Sequence, residues 1–158
     1  MEAKSTPIHS LRKEYGAAPL NEEDVGNDPM SLFQAWFDEA CKAEVLEPNA
    51  MCLSTVGKDL KPSARFVLLK GFDQRGFVFY TNYESRKSQQ MLENPFASLT
   101  FWWGPLERSV RIEGSVEQIS AQESDEYFQS RCKGAQIGAW TSNQSRPIEN
   151  RHALAEKE

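Results

Sequence analysis

The run Arg65-Phe66-Val67-Leu68-Leu69-Lys70 constrains this chain more than any other stretch. Four apolar residues lie between turn formers, Pro62 before and Gly71 after, and predict a strand with both faces covered. Its ends carry cations, and a cation at the rim of a buried strand is costly unless it meets an anion. The period of two puts Arg65, Val67 and Leu69 on one face and Phe66, Leu68 and Lys70 on the other, so the two cations do not naturally serve one atom. Either they bind different groups, or one of them is a solvated strand-end charge that keeps an edge soluble.

The flanking sequence extends this strand into a sheet. Ala50 to Val56 reads as a strand, Gly57-Lys58-Asp59 as a turn, and Ser63 to Lys70 as its partner. A turn at Asp73-Gln74-Arg75-Gly76 leads into Phe77 to Thr81, and short connections of this kind imply an antiparallel meander. Phe96 to Trp103 and Arg108 to Ile119, separated by Gly104-Pro105, add two more strands, with a bulge expected at Gly114. Five such strands suggest a small barrel.

Helices flank it. Asp28-Pro29 is a helix start, after which Met30, Phe33, Trp36, Phe37, Ala40 and Cys41 recur on one stripe that faces a core. Further helices are expected from Ser85 to Asn94, from Gln122 to Cys132 and from Pro147 onward. The fold class is therefore mainly β with flanking helices (α+β). Residues 1–27, polar and without sustained periodicity, read as a mobile N-terminal arm ahead of one domain over residues 28–158.

Composition narrows the function. The net charge of −5 argues against a general nucleic-acid binder, which needs a basic face to displace counterions. Cys41, Cys52 and Cys132 are odd in number and form no C-x-x-C pair, so neither a disulfide framework nor a zinc site is indicated, and a cytoplasmic setting is the simplest fit. No run approaches membrane-spanning length. Gly71 and Gly76 have the spacing of a Walker A loop, but Phe77 stands where its Lys belongs.

A second informative stretch is Asn82 to Ser88. With Ser85 as the cap, Arg86 and Lys87 fall in the first turn of a helix, where the dipole disfavours cations by a few tenths to about 1 kcal/mol each. Cations set against the dipole suggest an anion between them, and free amides, a hydroxyl, Arg and Lys together form a candidate phosphate site; two solvated charges accepting a small penalty are an equal alternative. Tyr127 and Arg131, four apart, share a helix face and offer either a ligand clamp or a surface contact.

Taken in order, several stretches resemble the pyridoxamine 5'-phosphate oxidases: Asn49 to Thr55, Lys61 to Arg65, Lys70-Gly71-Phe72, Tyr80 to Lys87, Asn94 to Leu99, Pro105 to Arg108, Tyr127 to Arg131 and Gln136 to Ala139. The resemblance implies an antiparallel FMN-binding split barrel that forms a homodimer with FMN at the subunit interface. By analogy Arg65, Phe66, Val67, Leu68, Tyr80, Thr81, Arg86, Lys87, Gln144 and Ser145 would contact FMN, while Lys70, Tyr127 and Arg131 would hold the substrate phosphate. Arg12 and Tyr15 resemble an N-terminal segment that folds over the substrate. The implied reaction oxidises pyridoxamine or pyridoxine 5'-phosphate to pyridoxal 5'-phosphate and reduces oxygen to hydrogen peroxide, with no metal and no partner of nucleic-acid or membrane type.

Departures from the family pattern fall at Ser109, where a flavin-contacting Gln is usual, and at Ala135, where a Ser helps bind the substrate phosphate. The family's C-terminal segment, with its Trp and Arg-Leu-His motif, is not present, so the domain reads as C-terminally truncated. The alternative to an oxidase is a non-catalytic short form that binds FMN or pyridoxal phosphate, or that dimerises without turnover.

Overall fold

In the computed structural model, residues 8–17, 19–141, 144–148, 150 and 152 are described. Five antiparallel strands form a curled half-barrel in the order β3-β2-β1-β4-β5. They are β1 (Ala50–Val56), β2 (Pro62–Asp73), β3 (Gly76–Phe79), β4 (Phe96–Trp103) and β5 (Arg108–Ser115). The helices are α1 (Glu22–Val25), α2 (Pro29–Lys42), α3 (Arg86–Glu93), α4 (Ala121–Ser130) and α5 (Lys133–Thr141). The helical pattern expected from Pro147 falls largely outside the described residues.

Local chemistry accounts for the element ends. Asp28 accepts hydrogen bonds from the Met30 and Ser31 amides, and Pro29 opens α2 where its missing N–H costs nothing. Ser120 and Glu123 close a reciprocal capping box on α4. Gln136 Nε2 then donates to the Phe128 and Arg131 carbonyls, so one side chain of α5 satisfies the open end of α4.

Of the stripe read on α2, Cys41, at the last turn, is exposed, whereas Phe33, Trp36, Phe37 and Ala40 pack into the core against the sheet. Phe33 sits at its centre, with ring centroids 4.8 Å from Phe72, 4.9 Å from Phe77 and 5.3 Å from Phe101. Trp103 is buried beside it and its indole donates to the Pro48 carbonyl at 2.9 Å, which satisfies the one polar group it brings into the core.

Strand β2 alternates as its sequence requires, Ser63, Arg65, Val67 and Leu69 turning inward. Its second face departs from expectation. Phe66 is 78% exposed and Leu68 is also exposed, because among the described residues no element packs over that side of the half-barrel. In register, Phe66 pairs with Cys52, and Cys52 with Thr100; nearby on β4, Trp102 is 59% exposed, so an apolar surface continues across the sheet.

Two further expectations are corrected. β5 ends at Ser115, and Gly114 pairs regularly with Ala97, so no bulge lies there. The irregularity sits in β2, where Leu69 faces Phe79 and Gly71 faces Val78, leaving Lys70 as the extra residue.

Candidate functional site

The start of α3 gathers cations. Arg86 and Lys87 occupy its first turn, and Arg65 reaches the same region from β2. Arg86 depresses the Arg65 pKa, after the larger effect of burial, and Arg65 in turn depresses that of Lys87, again second to burial. Such mutual effects require the charges to be close. Among the described residues none of the three forms an ion pair with a carboxylate.

A neutral side chain meets the Lys87 ammonium instead, and another meets the first backbone amide of the helix. Lys87 Nζ donates to Gln144 Oε1 at 2.8 Å, and the Arg86 amide donates to Ser145 Oγ at 3.1 Å. Segments far apart in sequence thus converge at one helix end. Ser145 does so with φ of 65°, a conformation non-glycine residues rarely adopt.

Ser85 was expected to cap α3 with its hydroxyl, and it does not. Its side chain is fully buried and lies 3.2 Å from Ser88 Oγ. Ser88 donates to the Asn82 carbonyl, so the Ser85 proton is drawn toward Ser88 rather than its oxygen toward the helix amides. The external hydroxyl of Ser145 takes the capping place.

Arg65 is anchored from below. Its Nη1 donates to the Leu53 carbonyl at 3.1 Å and to Thr55 Oγ1 at 2.7 Å, and its Nη2 donates to Ser63 Oγ at 2.6 Å. Both hydroxyls lie 2.7 Å from Gln90 Oε1 on α3 and donate to it. Nothing in the spacing of Gln90 sets it apart from an ordinary polar helix residue, so the sequence reading passed over it.

A separate cleft of about 350 Å³ opens where β2, β3 and α4 meet. Lys70, at the bulge, lines it together with Tyr80 and Tyr127. Those two rings stack at 3.5 Å between centroids with an angle of 8°. Arg75 also lines this cleft and occupies two of its three carboxylates, bonding Asp73 at 2.9 Å and Glu123 at 3.2 Å, while Glu126 accepts from Gln122. Lys70 forms no ion pair among the described residues.

Arg131 is not among the residues that line this cleft; it is the C-cap of α4, with extended backbone, rather than a member of the helical face shared with Tyr127. Phe66 and Leu68 point to the open outer face, while Val67 packs against the core. Arg12 and Tyr15 are exposed, yet the arm between and after them is tied down. Lys13 pairs with Glu107 at 2.8 Å, and Glu107 Oε2 accepts from the Gly16 and Ala17 amides. Ser109 lies exposed on β5 opposite Trp102, and Ala135 lies in α5.

The cation cluster fits a phosphomonoester on physical grounds. Unneutralised charges at a helix N-terminus, held by neutral acceptors, have an electrostatic deficit that a phosphate supplies. Thr81 adds an independent sign, since its buried Oγ1 has no hydrogen-bond partner among the described residues. Among the described residues no group of three or more metal-binding side chains occurs.

Similarity to known proteins extends over most of the chain. Residues 37–157 match the family described as pyridoxamine 5'-phosphate oxidase. The pyridoxine/pyridoxamine 5'-phosphate oxidase of Salinibacter ruber is 58% identical over 149 residues, covering 94% of this chain and 69% of that protein. That of Acaryochloris marina is 51% identical, covering 99% and 72%. Among solved structures, PhzG from Burkholderia lata, in complex with tetrahydrophenazine-1-carboxylic acid, superposes with a TM-score of 0.84 at 28% identity, over 89% of this chain and 71% of that one. A related FMN-binding protein from Nostoc punctiforme shares the fold, with a TM-score of 0.64 at 16% identity, over 82% of this chain and 72% of that one.

Proposed function

Since the chain belongs to the pyridoxamine 5'-phosphate oxidase family, we propose that it binds FMN and oxidises pyridoxamine or pyridoxine 5'-phosphate to pyridoxal 5'-phosphate, reducing O2 to H2O2. The observation that carries this reading is the set of uncompensated cations at the start of α3, met there by Gln144 and Ser145.

In this reading Arg86, Lys87 and Ser145 hold the FMN phosphate, with Arg65 beneath it. Thr81 gives its hydroxyl to the flavin, and Tyr80, Gln144 and the Arg65 to Leu68 segment line the remainder of the cofactor site. Bound FMN would supply the redox chemistry, taking at N5 the hydride that leaves substrate C4' and returning the electrons to oxygen. The protein's part is position and charge. Lys70 attracts the substrate phosphate, Tyr127 and Arg131 complete its binding, and Arg12 and Tyr15 close over it from the arm. Arg75 serves indirectly, because by occupying Asp73 and Glu123 it keeps those carboxylates from competing for Lys70. A second copy of the chain covers the outer face around Phe66 and Trp102, giving the homodimer.

A non-catalytic protein that binds FMN or pyridoxal phosphate without turnover is the second reading, favoured by Ser109 and Ala135. The loss of a hydroxyl at Ala135 weakens substrate binding by about 0.5–1.5 kcal/mol in this scheme.

Gel filtration after incubation with FMN, read by visible absorption, tests cofactor binding and assembly together. Turnover of pyridoxine 5'-phosphate with peroxide release then separates the two readings, and a folded, flavin-loaded dimer without turnover sinks the oxidase. Arg86→Ala is expected to weaken FMN binding, whereas Arg131→Ala weakens substrate or product binding. Equal effects of both changes on FMN would refute the division of roles.

A further inference from the structure

Arg65 is a partly buried cation held by four acceptors, of which none carries charge: the Leu53 carbonyl, two hydroxyls and the Gln90 amide oxygen. A buried guanidinium is ordinarily paired with a carboxylate, since desolvation is otherwise uncompensated. The hydroxyls of Thr55 and Ser63 accept from Arg65, which commits their own protons to Gln90 Oε1 at 2.7 Å each. The network therefore has one direction, from guanidinium through two hydroxyls to one amide oxygen. Gln90 is buried and stands on the helix whose first turn carries Arg86 and Lys87, so it also links Arg65 to those cations.

We infer that Gln90 is a positioning residue that fixes Arg65 beneath the start of α3 while leaving its charge uncancelled, so that the cluster keeps its attraction for a phosphomonoester. This rests on the proposed reading of that helix end as the FMN phosphate site. A glutamate would make the same hydrogen bonds in the same volume. It would also place an anion against Arg65, so neutrality, rather than shape or hydrogen bonding, is what the position demands.

The test is to titrate the full chain and its Gln90→Glu variant with FMN and with riboflavin, which lacks the phosphate, at about pH 8, where a carboxylate is ionised. FMN affinity is expected to fall about tenfold or more, because one charged partner of the phosphate is neutralised, while riboflavin affinity changes little. The salt dependence of FMN binding flattens in parallel. A role in folding alone would lower both affinities together and leave their ratio as it was.

An unchanged FMN-to-riboflavin ratio in a variant whose wild type binds FMN overturns the inference and leaves the cofactor reading standing. Wild-type protein that binds neither flavin overturns both. If Gln90→Glu does not fold, Ser63→Ala, which removes one arm of the network, is expected to lower the ratio about threefold, with Ser63→Thr restoring it. No change in that pair overturns the inference equally.

Discussion

Arg65 and Arg75 stand near the two ends of β2, and the molecule treats them in opposite ways. Arg75 is exposed and bonded to two carboxylates, Asp73 and Glu123, which raise its pKa chiefly through their hydrogen bonds. Arg65 is partly buried, and burial lowers its pKa while no carboxylate among the described residues pairs with it. A paired arginine joins elements, here the β2–β3 turn to α4. An arginine desolvated among neutral acceptors keeps a charge that its own hydrogen bonds do not cancel. Partners therefore separate scaffold from site more clearly than charge or position does.

The most damaging change expected lies in neither region. Phe33→Ala removes the ring at the centre of the core and should cost about 3–5 kcal/mol, read as a lowered Tm or denaturant midpoint. In protein that still folds, discrimination of FMN from riboflavin should persist. Lys87→Ala comes next, with FMN affinity falling about 10- to 100-fold, as for loss of a charged hydrogen bond, against an almost unchanged Tm. Equal losses for riboflavin would show that Lys87 acts on the fold.

Arg75→Ala sharpens the contrast from the other side. FMN affinity should stay the same, but KM for the phosphorylated substrate should rise about threefold as Asp73 and Glu123 are freed beside Lys70. A change in FMN affinity would erase the distinction between the two arginines.

The smallest effect near neutrality concerns the arm at Glu107. Hydrogen bonds from Lys13 and from the Ala17 and Gly16 amides hold this carboxyl below its ordinary value of 4.5. Its contribution to arm docking is therefore complete above that value and is lost as pH falls through the lowered one. Lys13 is raised by the same contact, so its contribution is complete below the ordinary lysine value of 10.5 and fades as pH rises through the raised one. Proteolytic cleavage within the arm should stay slow between those limits and accelerate beyond either; a flat profile would exclude Glu107 as the tie.

How much of this was readable in advance depends on where the controlling interaction lies. β1 and β4 have the limits expected from their apolar runs, and Asp28 caps α2 as its position next to Pro29 foretells. These features are set by neighbours in sequence. The bulge at Lys70 was misassigned to Gly114 because its cause is the pairing of β2 with β3, whereas Gly merely permits irregularity. The cap of α3 was misassigned because Ser145 arrives from a distant segment. Gln90 and Glu107 were missed for the same reason, since both act on residues remote in sequence. The exposure of Phe66 could not be read from an apolar run, which reports a wish for burial but not whether the same chain satisfies it.

The pairing of Cys52 with Phe66 and of Leu53 with Arg65 makes the hairpin between Val56 and Pro62 a place where length cannot drift. Adding or deleting one residue there, if the pairing slipped with it, would turn Arg65 to the open side and Phe66 toward the core. Substitutions in this short connection are local events, but a single-codon insertion would exchange the inward and exposed sides of β2 at one stroke. Descendants of this chain should accordingly vary there in composition and hardly at all in residue count.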